Sequence, residues 1–145
     1  PEFNLRRAIQ LLKEQADIFA VSTAWETHAV GAPAAPNFFN ACAGLNTDFS
    51  AEEIISGLIR PIEAALGRTR TSDKNSPRTI DIDLVLYDDE PLRLDYWEEA
   101  FLLVPLAELL PHFPHPLNRL SLSVTAEAAR RKVWIIPHLE VLSGL

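Results

Sequence analysis

The sequence predicts an α+β fold, an antiparallel sheet with helices on one face, on three observations. An amphipathic helical pattern opens the chain, two strand-like segments rich in β-branched and aromatic residues follow, and a capped helix comes next. This order, completed by another strand, is that of a ferredoxin-like sandwich whose first strand is missing. With 145 residues, 48% of them hydrophobic, we expect a single domain covering residues 1–145.

The first part of the chain divides into helix and strand segments. Leucine and isoleucine recur at near-helical spacing with charged residues between them, which predicts a helix over residues 3–17. Valine, threonine, alanine and tryptophan are frequent in the next segment, and we interpret residues 18–27 as a strand. Glycine and two prolines indicate a loop over residues 28–36, and residues 38–45 are predicted as the next strand.

A capping box marks the next helix. The Ser50 hydroxyl and the Glu53 carboxylate have the spacing that satisfies each other's backbone amides, and the helix should extend to about Leu66. Gly67 is placed to end this helix, and Pro61 predicts a kink or a packing irregularity within it.

The second part of the chain predicts one more strand and two short helices. Residues 68–77 are polar and basic, which is typical of a loop, and residues 79–87 alternate apolar and polar side chains as a strand does. Residues 102–110 and 124–131 have the pattern of short helices. A stretch rich in proline and histidine separates them.

Charge and composition exclude several classes of protein. The net charge of −7 argues against a general affinity for nucleic acid or for anionic membranes. No apolar stretch reaches the roughly 20 residues that cross a bilayer, and no signal segment opens the chain. The single cysteine, Cys42, allows no internal disulfide, which fits a cytoplasmic protein. We expect Cys42 to be a buried strand residue rather than a nucleophile.

Two aspartates in the predicted 79–87 strand are candidate metal ligands. Residues two apart in a strand share a face, so Asp81 and Asp83 should stand side by side, with apolar residues on the opposite face. Adjacent carboxylates repel each other unless a cation lies between them, and magnesium prefers oxygen ligands. The alternative is a half-exposed strand whose polar face simply carries aspartate, and the alternation alone favours that alternative.

Three arginines precede the aspartates. Arg68, Arg70 and Arg78 have the fork-shaped donors that bind phosphate oxygens. Carboxylates for magnesium beside arginines for phosphate suit phosphoryl transfer, because that chemistry depends on positioning and charge neutralisation. Arginines in a loop more commonly face solvent, so this interpretation depends on the neighbouring motif.

A family resemblance lies in the run Pro77-Arg78-Thr79-Ile80-Asp81-Ile82-Asp83-Leu84. This run is similar to the signature of the 6-hydroxymethyl-7,8-dihydropterin pyrophosphokinases of folate biosynthesis. Further segments resemble that family in the same order, namely residues 4–9, 22–27, 37–41, 62–63, 67–70 and 101–106. Chance similarity over so many ordered segments is improbable.

The resemblance implies an enzyme that transfers the terminal pyrophosphoryl group of ATP to the pterin hydroxymethyl oxygen and releases AMP. Asp81 and Asp83 would bind two magnesium ions, with Arg68 and Arg78 as catalytic residues on the phosphates. The residues that would contact ATP are Glu63, Arg70 and Leu84. The residues that would line the pterin pocket are Thr27, Val30, Phe38, Asn40 and Phe101, although core packing is an alternative for the two phenylalanines. The partners are small molecules, and the expected protein is a monomer.

Departures from the family pattern leave a second hypothesis open. The family has a strand ending in Gly-Ser-Asn before its first helix, and because the chain contains no methionine we expect that strand upstream of Pro1. Residues 92–100 are shorter than the matching family segment, whose ATP-binding histidine and arginine have no clear equivalents here. A non-catalytic pterin- or nucleotide-binding relative is therefore the alternative. A metal site at His112 and His115 is a weaker hypothesis than two surface histidines, because nearby prolines prevent a shared helical face.

Overall fold

The computed structural model describes residues 2–29, 36–67 and 80–145. The helices are α1 (Glu2–Gln15), α2 (Ala51–Ile54), α3 (Arg60–Ala65), α4 (Ala100–Leu109) and α5 (Leu122–Arg130), with a π-helical segment at Ile55–Ile59 and a 3-10 turn at Leu94–Tyr96. The strands are β1 (Asp17–Val21), β2 (Ala24–Thr27), β3 (Phe38–Asn40), β4 (Ala43–Asn46), β5 (Leu86–Tyr87), β6 (Glu90–Pro91) and β7 (Ile135–His138). Predictions for Val30, Arg68, Arg70, Arg78 and the 68–77 loop fall outside the described residues.

The α+β class is confirmed. The predicted first helix corresponds to α1, and the two later predicted helices correspond to α4 and α5. Every described strand pair is antiparallel, but the strands divide among three small sheets, in the orders β1-β4, β3-β2-β7 and β5-β6. Within the described ranges, no helix has both the length and the apolar character needed to cross a membrane.

Each of the two long predicted strands, over residues 18–27 and 38–45, breaks in the middle. Because β1 pairs with β4 and β2 with β3, the two halves form one bent hairpin. At the bend the Ser22 amide donates to the Cys42 carbonyl at 2.8 Å, and the Cys42 amide donates to the Ser22 hydroxyl at 2.8 Å. A side chain therefore replaces one backbone acceptor of the ladder, and a register shift within β1 adds a bulge.

The helical stretch from α2 to α3 is continuous but irregular. Ser50 Oγ accepts from the Glu53 amide at 3.2 Å and the Glu53 carboxylate accepts from the Ser50 amide at 3.1 Å, which confirms the capping box. Pro61 has no amide hydrogen to donate, and the turn before it widens into the π-helical form. Gly67 follows the helix with a φ of 89°, a left-handed conformation that glycine adopts at little cost.

The prediction of a strand over residues 79–87 is wrong for residues 80–85. Within the described part of this range, only Leu86 and Tyr87 form a strand, β5, which pairs with β6 in a short hairpin. The Ile82 amide donates to the Glu63 carboxylate at 3.0 Å instead of to a neighbouring strand. An alternating pattern predicts which side chains are exposed, but a ladder also requires a partner strand, and here a side chain satisfies the backbone.

Apolar residues collect into two clusters. The α4 cluster includes residues of α4, α5 and β7 together with the fully buried Trp97, and the α3 cluster surrounds Ile62. Glu108 of α4 joins the first cluster to β2, because its carboxylate accepts from the Trp25 indole at 2.9 Å and from the Thr23 hydroxyl at 2.7 Å. Residues of both clusters line a cavity of about 460 Å³. The candidate site lies along the wall of this cavity.

Candidate functional site

Asp81 and Asp83 extend from a backbone that Glu63 holds in place. Both aspartates are exposed, whereas Ile82 between them is partly buried, as the alternating pattern predicted. The carboxylate that accepts from the Ile82 amide belongs to Glu63 of α3, which is only 4% exposed. A buried backbone amide needs an acceptor, and here a side chain of α3 supplies it. The position of the acidic pair is therefore coupled to the packing of α3.

Arg93 is a cation beside this pair. Its Nη1 lies 2.8 Å from Oδ1 of Asp83, and its Nε and Nη2 donate to the two Asp95 oxygens at 3.3 and 3.2 Å. The guanidinium also lies over the Tyr96 ring, 4.0 Å from its centroid. Hydrogen bonding to Asp95, with the charge of Asp83, raises the pKa of Arg93 above its usual value, and the same bonds lower the pKa of Asp95. Arg93 therefore stays charged next to the aspartates.

Tyr96 connects Arg93 to the residues predicted for the pterin. Its ring meets the Phe101 ring edge-on, with 5.2 Å between centroids. Phe101 packs against the α4 cluster and lines the cavity together with Asn40. The same wall includes the predicted site residues Asp81, Asp83 and Leu84. Five predicted site residues, drawn from the metal, ATP and pterin groups, are thus brought to one cavity.

Thr27 and Phe38 are not among the residues that line this cavity, but they lie on the sheet that carries Asn40, with Thr27 buried. The register of β2 and β3 pairs Thr27 with Phe38, and Trp25 with Asn40. Because directly paired residues share a face and alternate residues do too, Thr27, Phe38 and Asn40 lie on one face of the sheet. Phe38 is 55% exposed, so core packing is not its role, and its ring is accessible to a flat ligand.

Arg93 and Tyr96 were not predicted from the sequence as site residues. The available signal was charge, because Arg93 is the one basic residue within residues 80–99, which contain eight acidic residues. An isolated cation in an acidic stretch indicates an ion pair. Which carboxylate it pairs with depends on the β5-β6 hairpin, which returns the chain toward residue 83.

Cys42 was predicted to be a buried strand residue, and the structure corrects this in part. It lies between β3 and β4 rather than in a strand, and it is half-buried, with part of its surface on the cavity. Burial raises the pKa of the Cys42 thiol to about 12, and the nearby Glu108 carboxylate adds to the shift. Because the thiolate is the nucleophilic form, a nucleophilic role near neutral pH is disfavoured.

His115 was predicted to be a surface histidine, and that prediction is wrong. The side chain is 3% exposed, its Nδ1 accepts from the Leu117 amide at 3.1 Å, and its Nε2 lies in hydrogen-bond contact with the Trp97 carbonyl. The proton is therefore assigned to Nε2, which donates. His112 is exposed, as predicted. Both ring nitrogens of His115 are occupied by hydrogen bonds within the protein, and His115 links its own loop to the Trp97 backbone.

The acidic pair fits the way magnesium binds alongside a nucleotide. No group of three or more His, Cys, Asp or Glu side chains in the described part of the chain could hold a metal ion by itself. Magnesium does not require such a group, since one or two carboxylates commonly bind it together with water and phosphate oxygens. Asp81 and Asp83 supply carboxylates of this kind, exposed at the cavity.

The fold and the site together define a class of α+β domains in which an exposed acidic pair and aromatic and amide side chains share one cavity. Within that class, residues 1–111 match the 7,8-dihydro-6-hydroxymethylpterin-pyrophosphokinase (HPPK) family. The chain belongs to this family, which confirms the resemblance. The helix α5 and the strand β7 lie after the matched residues.

Curated relatives have names that agree with the family. The chain is 30% identical over 135 residues to the 2-amino-4-hydroxy-6-hydroxymethyldihydropteridine pyrophosphokinase of Synechocystis, covering 85% of this chain and 67% of that protein. It is 32% identical over 121 residues to the enzyme of the same name from Aquifex aeolicus, covering 78% and 74%. The folic acid synthesis protein FOL1 of Dictyostelium discoideum is 28% identical over 83% of this chain, and the chain spans only 20% of that protein.

Proposed function

We propose that this chain transfers the terminal pyrophosphoryl group of ATP to 6-hydroxymethyl-7,8-dihydropterin in folate biosynthesis, releasing AMP. Its membership of the HPPK family supports this activity, and the names of the Synechocystis and Aquifex aeolicus relatives support the substrate. The observation that carries the proposal is the arrangement of the exposed Asp81 and Asp83 around a backbone held by Glu63. Asn40 and Phe101 share the same cavity.

The pterin would bind against the β2-β3 face and α4. Phe38 and Phe101 offer ring faces and edges to a flat bicyclic compound, and ring contacts of this kind add to the burial of apolar area. Asn40 carries an amide donor and an amide acceptor, which complement the donor and acceptor groups along the pterin edge. Thr27, on the same face as Asn40, adds a hydroxyl, and Val30 would complete the pocket.

The phosphates would bind on the acidic side of the cavity. Asp81 and Asp83 would hold two magnesium ions, which would neutralise phosphate charge when bound. Arg68 and Arg78 would donate to the phosphate oxygens as charge develops, and Glu63, Arg70 and Leu84 would contact or support ATP.

The reaction balances as a displacement at the β-phosphorus of ATP. A bond forms between that phosphorus and the hydroxymethyl oxygen, and the bond between the same phosphorus and the oxygen bridging to the α-phosphate breaks. AMP leaves with the bonding electrons, and the hydroxyl proton passes to solvent. The role of the chain is to hold the two reactants in line.

A matched pair of aspartate variants tests the proposal. Asp83→Asn keeps the size of the side chain and removes a magnesium-binding charge, so AMP release should fall by at least about 100-fold. Asp48→Asn removes the same charge from an exposed position ahead of α2 and should leave the rate unchanged. Asp83→Asn activity equal to that of the Asp48→Asn control would contradict the proposed site.

The Arg93–Asp83 ion pair favours a second candidate function. A guanidinium 2.8 Å from a proposed magnesium ligand competes with a cation for that carboxylate. A non-catalytic relative that binds the pterin alone is therefore the alternative. Calorimetry distinguishes the two, because the enzyme should bind a non-hydrolysable ATP analogue in the presence of magnesium. Pterin binding without any magnesium-dependent binding of the analogue would favour the alternative.

A further inference from the structure

The C-terminal segment, residues 133–143, packs along the edge of the sheet that carries the proposed pterin face. All four residues of β7 pair with β2, from Ile135 opposite Thr27 to His138 opposite Ala24. Beyond β7, Arg6 Nη1 of α1 donates to the Val141 and Ser143 carbonyls, at 3.1 and 2.7 Å. Because β7 covers one side of β2 and β3 the other, β2 is the central strand of its sheet.

The two faces of this sheet carry different side chains. Thr27 lies on the front face with Phe38 and Asn40, and the buried Ile135 lies opposite Thr27 on that face. Glu26, one residue earlier, points to the back face, because successive side chains of a strand alternate. The contacts described next are all on the back face or at its margin.

Polar side chains on the back face link β7, β2 and the start of β3. His138 Nε2 lies 2.7 Å from Glu26 Oε1, and both side chains are partly buried. The other Glu26 oxygen accepts from Asn37 Nδ2 at 2.8 Å, and Asn37 Oδ1 lies 3.2 Å from His28 Nδ1. These bonds connect the residue before β3 and the residue after β2 to the C-terminal strand.

An aromatic stack joins the same strands at the other end of β7. The Trp134 ring lies on the His28 ring, with centroids 4.2 Å apart and planes 13° from parallel. Trp134 precedes Ile135, and His28 follows Thr27, so the stack continues the β2-β7 pairing by one residue. Stacked rings of this kind contribute beyond the area that they bury. The strand that carries Thr27 is therefore held at both ends by the C-terminal segment.

We propose that Trp134 and His138 are positioning residues, and that their contacts with His28 and Glu26 hold β2 in the register that presents Thr27, Phe38 and Asn40 to the pterin. This inference rests on the proposed function, whose pterin face it supports from behind. The register of β2 determines which face of the sheet carries Thr27, because a shift of one residue moves every side chain of a strand to the opposite face. If this face is already ordered in the free protein, less conformational entropy is lost when the ligand binds.

Binding measurements on Trp134→Ala, His138→Ala and the double variant test the proposal. Pterin affinity, followed by pterin fluorescence, should fall by about fivefold to tenfold in the single variants. Affinity for a magnesium–ATP analogue should stay unchanged, and in turnover KM for the pterin should rise while kcat at saturating pterin stays within about twofold. Leu139→Ala is the matched control, because Leu139 is the next residue along and is 75% exposed. Unchanged pterin affinity in a folded Trp134→Ala variant would overturn the proposal.

Amide hydrogen exchange supplies a readout that does not need the substrate. Residues 24–28 and 37–40 should exchange faster in the Trp134 and His138 variants than in the wild type or in Leu139→Ala. Unchanged protection of these residues would overturn the positioning role. A wild-type chain that binds no pterin would overturn the proposed function, and with it the claim that this face binds the pterin. Hydrogen exchange would then still test whether Trp134 and His138 hold β2 in place.

Discussion

Arg93 adopts an unusual backbone conformation next to the acidic pair. Its φ of 54° lies in the left-handed region, which costs a residue other than glycine about 1 kcal/mol or more. The paired hydrogen bonds with Asp95, the contact with Tyr96 and the ion pair with Asp83 offset that cost. Strained residues that their surroundings hold in place are frequent at functional sites.

Replacement of Arg93 should change how strongly the acidic pair binds a cation. Arg93→Ala removes the competition between the Arg93 charge and a bound cation, so this variant should bind Mn²⁺, used here in place of magnesium, about threefold to tenfold more tightly without nucleotide. Electron paramagnetic resonance of free Mn²⁺ measures this affinity. Arg131→Ala, which removes an exposed arginine paired with Glu127 on α5, is the control. Equal Mn²⁺ affinity in both variants would contradict the competition.

Glu63 is expected to stabilise the segment that carries the aspartates. Glu63→Ala leaves the Ile82 amide without this acceptor inside the protein, which should cost about 1–3 kcal/mol in the free energy of unfolding. Glu63→Gln keeps an acceptor of the same size and should cost less. Urea unfolding measures the free energy of unfolding of both variants. An equal loss of stability in the two would contradict the claim that the hydrogen bond from the Ile82 amide stabilises this segment.

Individual residues also show which features of the site could be predicted from the sequence. The exposure of Asp81 and Asp83 followed from a period of two, because alternation depends only on neighbouring residues. The contact between Arg93 and Asp83 could not be predicted, since it depends on a hairpin with Asp88 in a left-handed conformation.

At the scale of elements, strand pairing was the hardest feature to predict. The bend in the β1-β4 and β2-β3 hairpin depends on the Ser22 side chain, which takes the place of a ladder acceptor. The strand β7 was not predicted, although Val133, Trp134 and two isoleucines have high strand preference. Pro137 weakens that signal, because proline is rare within central strands. Pro137 is tolerated there because β7 lies at the edge of its sheet, with β2 on one side.

The link between β7 and β2 should depend on pH. His138 faces Glu26 from β2, Glu140 from the turn after β7, and the uncharged Phe39 ring from β3. Hydrogen bonds with Glu140 and then Glu26 raise the pKa of His138 above 6.5, and those from Asn37 and then His138 lower the pKa of Glu26 below 4.5. The stability that protonated His138 contributes to the fold is fully present below pH 6.5 and is lost as the pH rises through its raised pKa. The stability that ionised Glu26 contributes is fully present above pH 4.5 and is lost as the pH falls through its lowered pKa.

His138→Gln tests this pH dependence. The difference in free energy of unfolding between wild type and His138→Gln should be largest between about pH 5 and 6 and should shrink toward pH 8 and toward pH 3. Denaturant titrations across this range measure it, with Leu139→Ala as a variant whose effect should not vary with pH. A His138→Gln effect that is constant from pH 5 to 8 would contradict a role for the charged imidazole.

At the scale of the whole molecule, Trp97 anchors the segment that departs from the family pattern. Trp97 has no exposed surface, its indole donates to the Leu92 carbonyl at 2.8 Å, and its own carbonyl contacts His115. The segment over residues 92–100 is therefore an integral part of the α4 cluster as well as the carrier of Arg93. Its sequence lacks clear equivalents of the family's ATP-binding histidine and arginine, and in the structure it forms a turn, anchored by Trp97, that places the Arg93 guanidinium on Asp83.

Truncation of Trp97 should destabilise the whole domain. Trp97→Ala removes a fully buried ring and leaves a cavity, for which a loss of about 3–5 kcal/mol is expected, a large part of the stability of a domain this size. Chemical denaturation measures the loss. Trp134→Ala is the matched comparison, because Trp134 is 42% exposed and its loss should cost much less. A Trp97→Ala effect no larger than that of Trp134→Ala would contradict the anchoring role.

The measurement that tests the proposed function most directly is the identity of the products. Phosphorus-31 magnetic resonance of a reaction with ATP, magnesium and 6-hydroxymethyl-7,8-dihydropterin distinguishes a diphosphate ester with AMP from a monophosphate with ADP. Transfer of the pyrophosphoryl group through the site at Asp81 and Asp83 predicts equal amounts of AMP and pterin diphosphate, with no ADP. Accumulation of ADP, or no turnover by a folded chain that binds both compounds, would contradict it.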